Sequence, residues 1–525
     1  MKILVSDVIH EEGINILRNA ADVEVATDLK KEELMEKIAD VDALLVRSAT
    51  KVTKDVIDCA KKLKVIGRAG VGVDTIDLDA ATERGIVVVN APESSTITVA
   101  EHTLGLILAL ARKIPFADKS VKDRRWEKKK FIGMELRGKT LGIIGMGRIG
   151  SQVAEKATAF GMHSVGYDPY IPEKIAKRIH IELVTLDELV KNSDFITVHV
   201  PLTDKTRAII GHDEIAKMKQ GVYIINCARG GIVDEKALVD GLKSEKIAGV
   251  ALDVFEKEPP FDNPLLDMKN IIVTPHLGAS TEEAQRNAST MAAEGVLDVL
   301  QNRAPRYIVN MPIFDPETLE KLGDYIPLAG KMGKLSIELI GDRITDVLIT
   351  YCGELNDIED KNVLTNSILT GLLSPILTGS INLLNAMIVA KNRGILITEA
   401  RREDAEEYQN LMILKVKTET GTVELKGTLL GGEEARIVSI DGYQTDIIPK
   451  GKILLVKHED RPGMIGAVAT SLGSYDINIG MMTVGRKQKG ELQMMILTVD
   501  QSVPKEVLDS ISDITGVSEI KTAEL

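Results

Sequence analysis

The chain has 525 residues, of which 44% are hydrophobic and 27% charged, and its formal net charge is −13. A single hydrophobic core stops growing at roughly 250–300 residues, so several domains are expected, and the apolar fraction excludes a mainly disordered protein. Aromatic residues make up only 3% of the chain and the net charge is negative, and both features disfavour a nucleic-acid-binding surface.

The cysteines and the N-terminus indicate the setting of the protein. Cys59, Cys227 and Cys352 lie far apart and match neither a metal-site nor a disulfide spacing, so no metal and a reducing, cytoplasmic setting are expected. The N-terminal MKILVSDVIH predicts a first strand rather than a signal peptide. The longest apolar stretches, such as 104–111, are too short to span a bilayer.

The first 282 residues alternate short apolar runs with amphipathic stretches. Near-continuous β-branched runs predict buried parallel strands, and the stretches between them, such as EEGINILRNA, predict crossover helices. The predicted strands are KILVS, VEVAT, ALLVRS, KVIGRAG, GIVVVN, TLGIIGMG, HSVGYD, FITVHV, VYIINC, IAGVALDV and IIVTPH. Two such halves in succession predict an α/β fold with two doubly wound, Rossmann-like domains. The helical stretch 282–302 is expected to cross back to the first half.

A different pattern begins at RAPRYIVNMP, where Pro305 and Pro312 interrupt the periodicity and indicate a boundary. Residues 313–450 predict an α+β domain, with a helix over TLEKLGDYIPLAGKMGKLSIELI and antiparallel strands over ITDVLITYCGEL and KVKTETGTVELKGTLLGG. Residues 451–525 predict a ferredoxin-like βαββαβ unit. The predicted domains are therefore 1–99 with a return segment 283–312, then 100–282, 313–450 and 451–525.

A glycine motif in the second half predicts a dinucleotide site. Gly145, Gly147 and Gly150 have the GxGxxG spacing, follow a predicted strand, open a predicted helix and precede Asp168 at the next strand end. The pyrophosphate would lie on the helix N-terminus, and Asp168 would accept hydrogen bonds from the ribose. Because a carboxylate repels a 2′-phosphate, NAD is the expected cofactor. Arg148 contacts the pyrophosphate or lies in solvent, and the sequence leaves both open.

Three later segments carry the candidate chemistry: INCARGGIVDE, ALDVFEKEPP and VTPHLGAST. In each, a buried strand is followed by polar residues, so Arg229, Glu258 and His276 are expected at one edge of the sheet, where ligands bind. His276 suits a general base, Glu258 could fix its tautomer, and Arg229 could bind a substrate carboxylate bidentately. Taken singly, each also fits a structural role.

The motifs RAGVGVDTID, GMGRIG, NCARGG, DVFEKEPP and TPHLGAS, within residues 1–312, resemble the D-2-hydroxyacid dehydrogenase family. The resemblance implies catalytic roles for Arg229, Glu258 and His276, with residues 1–99 binding substrate and 100–282 binding NAD. It places Asp253 near the nicotinamide carboxamide. The remaining cofactor residues expected are Ile149, Cys227 and Gly278, and the substrate side is expected to include Gly70, Val71, Gly72 and Asn90.

Within that family, LLVRSATKVTKDVI and GRAGVGVDTIDLDAATERGIVVVNAP are most similar to members that oxidise 3-phospho-D-glycerate to 3-phosphohydroxypyruvate, the first step of serine synthesis. A phosphorylated substrate needs cationic side chains to bind its phosphate. Arg47 and Arg68 lie at the ends of predicted strands beside the expected cleft and are the candidates. Arg47 could instead pair with an acid. The basic run 119–130 is either a solvated face or a rim that reaches the phosphate across a dimer interface, with Arg124, Arg125, Lys128 and Lys129 as unranked candidates.

The C-terminal HEDRPGMIGAV and DINI resemble an ACT domain, a regulatory module that binds amino acids. The resemblance implies a serine site at His458, Asp460 and Asn478, although an architectural dimerisation domain is an alternative. Residues 313–450 resemble the intervening domain of longer family members. Lys391 and Arg393 are cations there, but no ligand is assigned to them.

The sequence therefore predicts an NAD-dependent oxidoreductase with serine as a feedback effector, no nucleic-acid or membrane partner, and a homodimer or homotetramer. The apolar stretch VAEHTLGLILALARKI fits either a dimer helix or a core helix. One rival is a glyoxylate or hydroxypyruvate reductase, which would share the three catalytic residues. A rival of another class is a non-enzymatic scaffold that senses NAD or an amino acid.

Overall fold

The computed structural model describes residues 1–171, 176, 181–303, 305–311, 321–358, 361–377, 381–487 and 491–525, so the boundary predicted at Pro312 lies outside the described residues. Two compact units are present. The first comprises Met1–Lys51, Cys59–Thr75 and Val89–Tyr307, and the second comprises Val52–Asp58, Ile76–Val88 and Ile308–Leu525.

The N-terminal sheet is parallel where its register is defined, with strand order β2-β1-β3-β4-β5. Its strands are β1 (Lys2–Val5), β2 (Asp22–Val25), β3 (Ala43–Val46), β4 (Val65–Arg68) and β5 (Val87–Val89). The helices between them are α1 (Glu11–Arg18), α2 (Lys31–Ile38), α3 (Lys54–Cys59) and α4 (Leu78–Glu83). Ile3, Leu4, Leu44 and Leu45 are fully buried, as expected of strands covered on both faces.

A second parallel sheet has the order β12-β11-β10-β9-β6-β7-β8. Its strands are β6 (Thr140–Ile144), β7 (His163–Tyr167), β8 (Glu182–Leu183), β9 (Phe195–Val198), β10 (Val222–Asn226), β11 (Ile247–Leu252) and β12 (Ile271–Val273). The strand order reverses direction between β6 and β9, which is the switch point where open α/β sheets bind ligands.

Helices precede, separate and follow the strands of this sheet. They are α5 (Thr96–Arg112), α6 (Ile114–Lys122), α7 (Arg148–Ala159), α8 (Leu186–Asn192), α9 (His212–Lys217), α10 (Glu235–Lys243) and α11 (Glu282–Leu300), with 3-10 turns at Lys128–Phe131 and Pro264–Asp267. As predicted, α11 returns to the N-terminal sheet: it packs on α1, and a Cβ on Gly13 would lie 2.7 Å from Ser289 O.

The next domain forms a mixed sheet with order β14-β13-β15-β16-β17-β18. Its elements are α12 (Tyr325–Ile340), β13 (Ile344–Gly353), α13 (Asn362–Leu373), α14 (Ala386–Asn392), β14 (Leu396–Arg402), β15 (Asn410–Thr418), β16 (Thr422–Leu430), β17 (Glu434–Ile440) and β18 (Tyr443–Ile447), with a 3-10 turn at Glu354–Asn356. The predicted strands, which correspond to β13, β15 and β16, pair antiparallel. Strands β14, β17 and β18 were not predicted. Strand β14 runs parallel to β13 because the segment with α13 and α14 makes the crossover that a parallel connection requires.

The C-terminal domain has the predicted βαββαβ order. Its elements are β19 (Lys452–Glu459), α15 (Met464–Ser474), β20 (Ile479–Arg486), β21 (Leu492–Val499), α16 (Lys505–Ser512) and β22 (Val517–Glu524), and the sheet order is β20-β21-β19-β22. Leu454 and Leu497 on one sheet face pack with Val468 of α15 and Ile511 of α16 in one buried cluster. The predicted fold class is confirmed.

Within the described ranges, no helix combines the length and the apolar character needed to cross a bilayer.

Candidate active site

The glycine loop lies between β6 and α7 in the first unit. Gly145 has φ +93°, a conformation that other residues adopt at a cost, and a Cβ there would lie 2.6 Å from His199 O. A Cβ on Gly150 would lie 2.0 Å from Gly145 O, so only glycine lets the helix approach the turn. Above Gly147, the residue before α7, a Cβ would meet no atom within 4 Å. This open space at a helix N-terminus suits a pyrophosphate.

Asp168 follows β7 beside this loop. Its Oδ2 accepts a hydrogen bond from Met146 N–H at 2.9 Å, and its Oδ1 accepts one from Tyr170 N–H at 2.9 Å. A carboxylate has about four acceptor positions, so capacity remains for two ribose hydroxyls. The Nε of Arg148 lies 3.8 Å from Glu93 Oε1 on the exposed surface, while Ile149 packs against the core beneath the loop.

Replacing Asp168 with serine is expected to raise the ratio of kcat/KM for NADP to that for NAD by about tenfold or more. The carboxylate would repel a 2′-phosphate, and like charges brought together at a binding site cost several kcal/mol. Steady-state kinetics with both cofactors measures the ratio. Glu155→Gln on α7 is the matched control that should leave it unchanged, and an unchanged ratio in the Asp168 variant would contradict the assignment.

The three candidate catalytic residues follow neighbouring parallel strands at one sheet edge. Arg229 follows β10, Glu258 follows β11 and His276 follows β12. His276 Nδ1 and Glu258 Oε2 are 3.0 Å apart, and both side chains are partly exposed. Because a carboxylate only accepts hydrogen bonds, the neutral imidazole carries its proton on Nδ1 and presents a lone pair at Nε2. This is the arrangement that a general base requires.

Arg229 lies against the glycine turn after β4. Its Nη1 donates to Ala228 O at 2.7 Å, and its Nε lies 3.4 Å from Asp74 Oδ2. A Cβ on Gly72 would lie 2.2 Å from Arg229 Nη2, so a larger residue at 72 would displace the guanidinium. The predicted substrate turn and the predicted catalytic arginine are therefore neighbours.

Two further arginines lie near this guanidinium. Burial, together with the positive charges of Arg229 and Arg47, lowers the pKa of Arg68 to about 10. Its Nη1 donates to Ala69 O at 2.9 Å. Asn90 Nδ2 donates to Val71 O at 2.7 Å, so this amide holds the turn in place. Because two guanidinium groups lie close enough to Arg68 to lower its pKa, the three together form a site that an anion would stabilise.

Asp253, at the end of β11, organises the loop that carries His276. Its side chain accepts hydrogen bonds from the N–H groups of Leu277 and Gly278, both at 2.7 Å. Burial acts to raise the pKa of Asp253, but hydrogen bonds from His102, Thr274 and the two N–H groups outweigh burial and lower it. The loop holds His276 at φ +57°, which is unusual for a residue with a side chain.

His102 and Thr274 were not identified from the sequence. His102 Nε2 lies 3.3 Å from Asp253 Oδ1 and 3.2 Å from Thr274 Oγ1. The available signal was the single histidine of α5, a helix whose C-terminal half is almost entirely apolar. Burial raises the pKa of the nearby Cys227 thiol to about 12. The thiol therefore stays protonated and neutral, and it does not act as a nucleophile.

The basic run 119–130 makes mostly local contacts. Lys119 and Arg125 pair with Asp123, Lys122 pairs with Asp118, and Lys130 pairs with Glu127. Lys128 Nζ lies 5.7 Å from the ring centroid of Trp126, which is 75% exposed. These pairs fit a solvated face, and a phosphate contact of Arg124, Arg125, Lys128 or Lys129 stays a prediction.

The predicted effector residues divide between two ends of the C-terminal sheet. His458 lies opposite Gln493 on β21, whereas Ile479, next to Asn478, lies opposite Val499. Six residues of strand separate these positions, or about 20 Å at 3.3 Å per residue. His458 is buried, Asp460 pairs with Arg486 at 2.8 Å, and Asn478 Nδ2 donates to Asp500 at 2.7 Å. One copy of the chain therefore does not bring the three residues together.

Comparisons with known proteins identify the domains and the family of the chain. Residues 104–278 match the NAD-binding domain of D-isomer specific 2-hydroxyacid dehydrogenases, 321–441 the D-3-phosphoglycerate dehydrogenase intervening domain, and 452–516 the ACT domain. D-3-phosphoglycerate dehydrogenase of Methanocaldococcus jannaschii is 51% identical and that of Archaeoglobus fulgidus 46%, with all of each chain covered. The Aquifex aeolicus D-lactate dehydrogenase structure with NAD and lactic acid is 30% identical over 59% of this chain and all of its own, with a TM-score of 0.53.

Proposed function

Because the chain belongs to the D-3-phosphoglycerate dehydrogenase family, we propose that it oxidises 3-phospho-D-glycerate to 3-phosphohydroxypyruvate with NAD, the first step of serine synthesis. The observation that carries the proposal is the pair of His276 and Glu258, 3.0 Å apart at the same sheet edge as Arg229. A cytoplasmic location belongs to the proposal, in keeping with the free thiols of Cys59, Cys227 and Cys352.

The cofactor would be held by the glycine loop and Asp168, with Cys227, Asp253 and Gly278 on the nicotinamide side. The open space above Gly147 and the free acceptor positions of Asp168 fit it. When bound, NAD accepts the hydride from C2 of the substrate.

The protein's own residues would aim the substrate and move its proton. Arg229 binds the substrate carboxylate and draws electron density from the forming carbonyl. His276 Nε2 takes the C2 hydroxyl proton as the hydride leaves, and the Glu258 carboxylate stabilises the resulting imidazolium. In the reverse direction the same imidazolium returns the proton. Arg47 and Arg68 bind the phosphate, because the charges of Arg47 and Arg229 lower the pKa of Arg68 even with the carboxylates of Asp74 and Asp7 nearby, and an anion would offset this repulsion.

Serine is the proposed feedback effector, bound where two C-terminal domains meet in a homodimer or homotetramer. Since His458 and Asn478 lie at opposite sheet ends of one chain, a site that uses both must take them from two copies. Serine would then stabilise one of two states of the assembly, and only a difference in its affinity for these states can change turnover.

A mixture of two insensitive variants is expected to regain serine inhibition. His458→Ala and Asn478→Ala should each lose inhibition alone, because every interface site then lacks one residue. In a mixed dimer, one site combines His458 from one chain with Asn478 from the other and is intact. Fractional inhibition is measured relative to each sample's own rate without serine. A mixture refolded or coexpressed together that stays insensitive would contradict the shared site.

A further inference from the structure

We infer that Glu235 is a positioning residue that fixes the loop carrying Glu258 against the loop carrying Arg229. The inference rests on the proposed roles of Glu258 and His276 and assigns a residue that contacts neither substrate nor cofactor. We call residues 255–263 the acid loop, because they contain Glu258. Glu235 is the first residue of α10, in the segment that follows Arg229.

The Glu235 carboxylate holds the acid loop at both ends. One oxygen accepts a hydrogen bond from Glu256 N–H at 2.7 Å, and the other accepts one from Asn263 Nδ2 at 2.6 Å. Within the loop, Phe255 N–H donates to Glu258 Oε1 at 3.1 Å, and Glu258 Oε2 reaches His276. A short chain of contacts thus leads from Glu235 to the proposed base.

The two loops also touch through their backbones. A Cβ on Gly230 would lie 2.0 Å from Phe255 O and 2.4 Å from Glu256 N, so the residue after Arg229 packs directly on the acid loop. Asn226 Nδ2 donates to Arg229 O at 2.9 Å and fixes that side. Any displacement of Glu256 would therefore change the positions of both Arg229 and Glu258.

The contacts explain why a carboxylate is required at 235. Two donors converge on it, and a carboxylate offers only acceptors. Asn263 cannot turn its amide to compensate, because its Oδ1 accepts Leu265 N–H at 3.0 Å and caps the 3-10 turn. Glutamine at 235 would satisfy one donor and direct its own NH₂ at the other. The charges beside Glu235, along a cleft of about 480 Å³, are Arg207, Asp234, Lys236, Glu256, Lys257 and Asp262.

An exchange of hydrogen-bond polarity tests the inference. Glu235→Gln and Asn263→Asp are each expected to lower kcat by about tenfold, because the first leaves two donors facing each other and the second two carboxylates. In the double variant, the amide introduced at 235 donates to the carboxylate introduced at 263, and that carboxylate still caps Leu265 N–H. The kcat of the double variant should return to within about threefold of that of the starting protein.

A second readout separates positioning from general stability. With 3-phospho-D-glycerate deuterated at C2, the isotope effect on kcat should rise in each single variant, since a misplaced Glu258 slows the chemical step. It should fall again in the double variant. Glu282→Gln is the matched control, because it removes a carboxylate from the first turn of α11, the position that Glu235 has in α10.

Three results would overturn the inference. The kcat of the single variants could be unchanged, or the decrease in kcat of the double variant could equal the product of the two single decreases. The third is a decrease in kcat that parallels a decrease in melting temperature while the isotope effect stays unchanged. His276→Asn, measured in parallel, distinguishes this failure from failure of the proposed function. If that variant loses turnover while the effects of Glu235→Gln and Asn263→Asp on kcat are independent of each other, only the inference is wrong. If it keeps full turnover, the proposed role of His276 is wrong.

Discussion

Replacing His276 with asparagine is expected to lower kcat by about 10²–10⁴-fold, the usual contribution of a positioned general base. Asparagine retains a polar group near Glu258 but has no nitrogen lone pair to take the hydroxyl proton. Cofactor binding should persist, because the glycine loop and Asp168 belong to other segments of the fold. Turnover is measured in both directions, and NAD binding by titration calorimetry.

His212→Asn provides the matched control. His212 also lies beside a carboxylate, with its Nε2 3.2 Å from Asp240 Oδ2, but it is the first residue of α9, and both side chains are more than half exposed. It should leave kcat unchanged. A His276→Asn protein that binds NAD and keeps full turnover would contradict the assignment of the base.

Replacing Arg229 with glutamine is expected to lower kcat/KM for 3-phosphohydroxypyruvate by about 30–3000-fold. Removing one partner of a desolvated, hydrogen-bonded charge pair costs about 2–5 kcal/mol, and each 1.4 kcal/mol is a factor of ten. Part of the loss should fall on kcat, because Arg229 also polarises the reacting carbonyl. Arg229→Lys should recover little, since an ammonium does not reproduce the bidentate geometry.

Arg303→Gln is the control for loss of an arginine, because Arg303 pairs with Asp298 on the exposed surface. It should behave as the starting protein does. If Arg229→Gln raised KM with no change in kcat, its role would be confined to binding, and the proposed polarisation of the carbonyl would be wrong.

Much of the fold could be predicted from local pattern. Each apolar run named in the first 282 residues forms a strand, because near-continuous apolar runs are characteristic of parallel sheets covered on both faces. The prediction of burial was wrong for β2, an edge strand whose residues are exposed or half-buried. The glycine loop could be predicted from spacing together with its strand–helix context. Arg229, Glu258 and His276 could be expected together, since the carboxyl ends of parallel strands share one edge.

The rest depends on how distant elements meet. The network of His102, Thr274 and Asp253 joins α5 to the end of β11, and no spacing rule relates those positions. The contact of Glu235 with the acid loop is of the same kind. The opposite placement of His458 and Asn478 follows from strand direction: β19 and β20 both run antiparallel to β21, so the end of β19 and the start of β20 lie at opposite ends of the sheet. Strand β14 was missed because its sequence LITEARR is largely exposed and lacks the apolar run of a buried strand.

The most direct test of the central claim compares NADH oxidation with 3-phosphohydroxypyruvate against hydroxypyruvate. The two acids share the carboxylate for Arg229 and the carbonyl for His276, and differ in the phosphate that Arg47 and Arg68 would bind. We expect kcat/KM to favour the phosphorylated acid by at least about 100-fold, because charge-assisted contacts to phosphate are strong and would be lost together. Equal kcat/KM values for the two acids would contradict the phosphate site and assign the protein to reductases of unphosphorylated hydroxy acids.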